Sequence, residues 1–215
     1  MKVRIKFVEP VLGTLSGNKD AATDFILSKN PAKVPAQDEI EALPEEEALE
    51  KSSTIFPKED GKPFIWNYQL KGFFKDSCLA LIMSNKMKQE ELKKVGLTKY
   101  LYKRTIDMML FVRPRKMFLT IPEGSKIQLL TGEEIDYLVN KTNCERPLRG
   151  QTMRGERISL ARSEMLPAGT TFEADIMLLD KKLEDFLKPW LDYGALRGLL
   201  QWRNSGMGSF VYEVL

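Results

Sequence analysis

The segment 157–215 constrains the fold more than any other part of the chain. Residues 157–162 and 171–177 alternate apolar and polar side chains, the two-residue period of a half-buried strand. Leu166, Pro167, Ala168 and Gly169 between them have turn chemistry, so the two runs are expected to form a hairpin. An amphipathic helix is expected over 181–191, followed by a glycine-punctuated stretch at 198–210 and a terminal strand over 210–215. Gly206 and Gly208 stand one residue apart beside Trp202 and Arg203. Glycines in that setting let the backbone approach something flat and anionic, and a nucleic acid is the expected partner.

The other end of the chain repeats the pattern. Residues 2–9 alternate with Val3, Ile5 and Phe7 on one face, which predicts a strand. Residues 10–60 carry Pro31, Pro35, Pro44 and Pro57 with little periodicity and read as an insertion or long loop. Asp60, Gly61, Lys62 and Pro63 have turn chemistry, and 64–82 passes from a short strand into a helix with Leu70, Phe73, Phe74, Cys78 and Ile82 on its apolar face. Asn67 is the candidate cap of that helix. The middle is less patterned: 86–102 reads as helical or as a flexible lobe, 107–120 as a hairpin broken at Arg113, Pro114 and Arg115, and 133–139 as a short element of either type. Strand, helix, strand, twice over, is the order of an α+β, ferredoxin-like (RRM-like) fold, an antiparallel sheet with two helices on one face and the other face free for a ligand. The whole chain is read as one domain with insertions at about 10–60 and 85–150.

Composition removes several chemistries. Histidine is absent from all 215 residues, so Ser-His and Cys-His nucleophilic pairs, ordinary zinc-hydrolase sites and histidine-based ribonuclease chemistry are excluded. Cys78, in a helix-like segment, and Cys144, in a loop-like one, lack metal-ligand spacing and are expected to be free thiols. No signal-peptide core or membrane-length apolar run is present, and the expected location is cytoplasmic. The net charge of +3 hides an asymmetry: residues 38–50 hold seven acids and no base, which leaves +10 for the rest. The acidic run reads as a solvated loop or as an electrostatic shield over a basic groove.

Three blocks, in order, carry a family resemblance. The first, 56–72, holds the Asp60–Gly61 turn, the apolar pair Phe64 and Ile65, and Leu70, Lys71 and Gly72 at a helix start. The second, 157–173, holds Leu166 and Pro167, then Ala168, Gly169 and Thr170, then Phe172 and Glu173; the third is the glycine stretch 198–210. Together they resemble the RAMP superfamily, specifically the backbone subunits that line guide RNA in CRISPR effector complexes. The resemblance implies a non-enzymatic, sequence-independent subunit that binds single-stranded, guide-like RNA, needs no cofactor or metal, and partners with other effector subunits or with copies of itself along the strand. Some relatives cut target RNA with an aspartate in the loop before the first block; Glu45, Glu46, Glu47 and Glu50 stand in that region here, so cleavage is not carried over. A mobile-element protein that imitates or obstructs such a complex would share these features.

Strand phosphates are gripped by Lys and Arg and by amides at helix starts, and bases stack on aromatic faces. The candidates on that logic are Lys71 and Lys75 near the helix start, Arg197, Trp202, Arg203, Gly206 and Gly208 in the glycine stretch, and an arginine-rich arm of Arg146, Arg149, Arg154 and Arg157, continued by Arg162. Lys93, Lys94, Lys99, Lys103 and Arg104, with Tyr100 and Tyr102, read either as a further contact or as the wet face of a helix. Two other classes stay open: a magnesium nuclease using Asp20 and Asp24 or the acids 45–50, and a protein scaffold whose arginines meet an acidic partner.

Overall fold

A computed structural model describes residues 1–16, 53–84, 89–123, 143–152 and 155–215. Among these the strands are β1 (Lys2–Phe7), β2 (Val11–Leu12), β3 (Leu15–Ser16), β4 (Ser53–Ile55), β5 (Lys58–Glu59), β6 (Lys62–Trp66), β7 (Leu110–Arg113), β8 (Lys116–Phe118), β9 (Asn143–Thr152), β10 (Gly155–Leu166), β11 (Thr171–Leu178) and β12 (Phe210–Val214). The helices are α1 (Asn67–Met83), α2 (Gln89–Lys94), α3 (Tyr102–Met109), α4 (Glu184–Asp192) and α5 (Gly194–Arg197), with single 3-10 turns at Lys181–Leu183 and Arg203–Ser205. The chain is therefore mixed α+β. It divides into two units, the first formed by Met1–Val11, Ile65–Ile121 and Ala168–Leu215, the second by Leu12–Phe64 and Pro122–Pro167. No described helix is long and apolar enough to cross a membrane.

The first unit is built on a four-stranded antiparallel sheet in the order β12-β1-β11-β7. Alternation decides its faces. Val3, Ile5 and Phe7 of β1 and Phe172, Ala174 and Ile176 of β11 are buried, while the intervening residues point the other way. The buried stripe packs against α1 and α4. Phe210 stands edge-on to Phe73 at 5.1 Å and to Phe7 at 6.4 Å, and Phe74 lies 6.0 Å from Trp190. The apolar face expected for α1 is the one it buries: Leu70, Phe73, Phe74, Cys78 and Ile82 are all inside. Asn67, however, is not the cap. Trp66 holds that position, with its N–H donating to Gln69 Oε1 at 2.8 Å, and Asn67 is the first helical residue.

In the second unit β10 is the hub. It pairs antiparallel with β9 and parallel with β4, and β4 pairs antiparallel with β3. Inside it the wholly buried Glu164 carboxylate accepts the Phe56 N–H and the Lys58 ammonium, each at 2.8 Å. Beside it the Thr54 hydroxyl donates to Ser163 Oγ at 2.8 Å. The expected turn after β5 is present: Asp60 and Gly61 both have positive φ, 49° and 72°, as a two-residue hairpin loop demands.

Several expectations fail in an informative way. The segments 157–162 and 171–177 are strands, but they do not pair with one another: β10 joins β9 and β4, and both edges of β11 are taken by β1 and β7. Alternation specifies a strand and its buried face, not its partner. The predicted hairpin at 107–120 is also absent, because Asp107 lies in α3, β7 pairs with β11, and Pro114 and Arg115 separate β7 from β8. Within 10–60 the described ends form short strands, β2 to β5, instead of one loop; residues 17–52, including the acidic run, lie outside the description. Residues 89–94 and 102–109 are helical, whereas 133–139 lie outside the described residues.

Cys78 and Cys144 are free thiols, and Cys144 lies in β9 instead of a loop. Burial pushes the Cys78 thiol up to about 12 and also raises that of Cys144, which is only half-buried. Because the thiolate is the reactive form, an aromatic disulfide reagent at pH 8 is expected to titrate the Cys144 thiol first and Cys78 only on denaturation. Two thiols reacting at one rate in the native protein would contradict this burial.

Candidate nucleic-acid interface

The arginine-rich arm is a two-stranded ribbon in the second unit. β9 and β10 pair over a register running from Asn143↔Glu164 to Thr152↔Gly155, which sets Arg146 opposite Ala161, Arg149 opposite Ile158, Arg157 opposite Gly150 and Arg162 opposite Glu145. Four arginines separated by up to sixteen positions in sequence are thus brought onto one antiparallel pair. Arg154 falls between the paired ends and lies outside the described residues.

The other candidates belong to the first unit, and α1 organises both groups of them. Lys71 and Lys75, one turn apart, meet Asp107 of α3: Lys75 Nζ is 2.6 Å from the Asp107 carboxylate, and Lys71 Nζ donates to the Asp107 carbonyl oxygen at 2.9 Å. Lys71 also lies 5.3 Å over the Phe111 ring. Burial, opposed by Asp107, draws its ammonium below the usual lysine value. Next along α1, Asp76 holds both arginines of the glycine stretch, Arg197 Nε at 3.0 Å and Arg203 Nη1 at 2.9 Å, while Arg197 also donates to Asn204 Oδ1. These four cations are therefore positioned by carboxylates of the protein itself.

Two of the glycines, Gly198 and Gly208, serve a close approach within the chain. Gly208, at φ 70°, donates its N–H to Pro10 O and accepts from Leu199 N, each at 2.8 Å. A Cβ there would stand 2.2 Å from Leu199 O, and one at Gly198 would stand 2.5 Å from Met207 O. Gly206, at φ 83°, has open space where its Cβ would be. Trp202 adopts a left-handed φ of 54° and is half-buried beside this loop.

The sheet face turned away from the helices is not a bare platform. Lys2 and Arg4 both reach Glu173 at 2.8 Å, and Arg4 also bonds Glu213. The hydrogen bond from Lys2, then that from Arg4, hold the Glu173 carboxyl below its ordinary value. A groove of about 760 Å³ runs beside these pairs, with Arg113, Lys116 and Phe118 along it. The positions of β1 and β11 on this face, Lys2, Arg4, Lys6, Thr171, Glu173 and Asp175, include no aromatic ring. These paired side chains are exposed, so the face is open to solvent but carries charges that are already partnered.

In the third basic cluster Lys93, Lys94, Lys99, Lys103 and Arg104 are exposed, as is Tyr100, and Tyr102 is buried. No group of three metal-ligating residues exists among the described residues; Asp20, Asp24 and the acids 45–50 lie outside them. Sequence reasoning passed over a smaller cavity, about 470 Å³, lined by Tyr68, Lys71, Phe111, Arg113 and Arg115. Its one sequence signal was the Arg113, Pro114, Arg115 triplet, read only as a break.

No protein-family model and no curated protein matches the chain. Among solved structures it is similar to a chain of the type III-B Cmr-beta complex, determined by cryo-EM bound to cognate target RNA, at 8% identity and a TM-score of 0.43. That alignment covers 99% of this chain but 59% of the other. It is also similar to a chain of a type IV-B CRISPR complex, at 12% identity and a TM-score of 0.44, covering 100% of this chain and 89% of that one.

Proposed function

We propose that the chain is a non-enzymatic, RAMP-type subunit of a CRISPR-type ribonucleoprotein complex, binding single-stranded RNA without regard to sequence and contacting further subunits or copies of itself. The observation that carries the reading is the β9–β10 ribbon, which gathers Arg146, Arg149, Arg157 and Arg162 on one arm. Arginines that engage phosphates grip a strand without reading its bases. The sheet order β12-β1-β11-β7, with α1 after β1 and α4 after β11, supports a ferredoxin-like scaffold, since it is the order of two interleaved strand-helix-strand units. β1 and β11 present no aromatic side chain on the open face, whose exposed rings, Phe111 and Phe118, stand at its β7 edge.

The test replaces Arg149 and Arg154 with alanine. Affinity for single-stranded RNA is expected to fall alike for all sequences, and the slope of log K against log salt to flatten by about 0.7 for each phosphate that is no longer neutralised. Unchanged binding, or a reduction confined to one sequence, would sink the phosphate-arm reading. Labelled RNA incubated with magnesium is expected to stay intact, and chelator-sensitive cutting would overturn the non-enzymatic part.

A further inference from the structure

A small cavity lies at the start of α1. Asn67 ties its two walls together, its N–H donating to Arg115 O and its side-chain amide to Val112 O, each at 2.9 Å. Of its lining side chains Lys71, Arg113 and Arg115 are cationic, and none is acidic. The first turn of α1 also carries no acid, so the positive end of its dipole is not offset by the helix's own side chains. Rings hold two of the cations in place: Lys71 lies over Phe111, and the Arg115 guanidinium lies 5.2 Å over Trp66. The larger groove on the sheet face has acids in its lining, Glu173 and Asp175, which engage Lys2, Arg4 and the N-terminal amine, whereas the acid that meets Lys71 of the small cavity, Asp107, lies outside the lining.

We infer that this cavity binds a nucleotide phosphate, with the anion between the Arg113 and Arg115 guanidiniums and the Lys71 ammonium, and the sugar and base against Phe111 and Tyr68. Its volume of about 470 Å³ suits one nucleotide and not a duplex. Two exposed guanidiniums supply the fork geometry that phosphate oxygens accept, and an incoming anion meets no carboxylate on the lining. The phosphate has two possible sources, a free or terminal nucleotide or an internal phosphodiester of a strand. Only the second rests on the RNA-binding reading above.

The experiment titrates the full chain calorimetrically with inorganic phosphate, AMP and a short single-stranded RNA. It compares the unmodified protein with Arg113→Ala/Arg115→Ala and with Arg104→Ala, an exposed cation of α3 outside the cavity. Thermal unfolding checks each fold; should the double variant lose its transition, Arg113→Glu alone replaces it, since that side chain is exposed. AMP affinity is expected to drop about tenfold or more in the double variant and to stay constant in Arg104→Ala. RNA binding without AMP binding, abolished in the double variant, assigns the pocket to a strand phosphodiester. AMP binding without RNA binding keeps the pocket and sinks the strand reading. Binding of both probes undiminished in the double variant overturns the pocket, and if RNA binding then falls in Arg149→Ala/Arg154→Ala the strand reading survives alone. Failure of every probe to bind the unmodified protein overturns both.

Discussion

Gly208→Ala is expected to destabilise the first unit by about 3 kcal/mol or more, while Gly206→Ala costs about 1 kcal/mol. Both residues sit at positive φ, so both carry the left-handed penalty of an L side chain. They differ in what the new methyl meets. At Gly208 it falls 2.2 Å from the Leu199 carbonyl oxygen, a backbone atom that cannot rotate away, and at Gly206 nothing lies within 4 Å. Relief at Gly208 requires parting two backbones that share the Leu199 N–H bond and hold Pro10. Urea unfolding of the two variants measures the difference. Equal destabilisation would mean that the close approach does not hold in solution, and a stable Gly208→Ala with only its RNA affinity reduced would return this glycine to the ligand-binding role expected from the sequence.

Glu164→Ala is expected to cost about 3 to 5 kcal/mol, because it leaves the Lys58 ammonium and the Phe56 N–H without their carboxylate in the interior of the second unit. Glu164→Gln should cost less, since its amide oxygen still accepts one hydrogen bond. Replacing both members, Lys58→Met with Glu164→Leu, is expected to recover most of the stability, since a buried ion pair exchanged for apolar groups of similar size is often neutral. The measurement is again urea unfolding. A double variant no better than Glu164→Ala would mean that the carboxylate's bond to Phe56, and not the uncompensated charge, holds β4 and β10 together.

The candidate site was legible in part. The arginine density at 146–162 is visible in the sequence, and the structure places the described members on a single ribbon. What no local pattern contained is that Lys71 and Lys75 share Asp107, that Arg197 and Arg203 share Asp76, and that Arg113 and Arg115 line one cavity with Lys71. Asp76 and Arg203 are 127 positions apart, and a charge at such a distance in sequence shows no periodicity to read.

By itself the sequence determined the strands β1 and β11, whose alternation buries one face, the terminal strand β12, the helix α1 with its apolar side, the helix α4, and the Asp60–Gly61 turn. Each of these is a matter of neighbours along the chain: the two-residue and 3.6-residue periods and the φ angles that glycine and its partner tolerate. Tertiary structure alone decided that β10 and β11 part company, that Arg4 on the open sheet face is paired with two glutamates, and that Gly198 and Gly208 face the backbone of their own chain. The reason is that hydrogen-bond edges, carboxylates and close-packed backbones are allotted by competition among segments far apart in sequence, and the winner depends on which apolar stripes bury together.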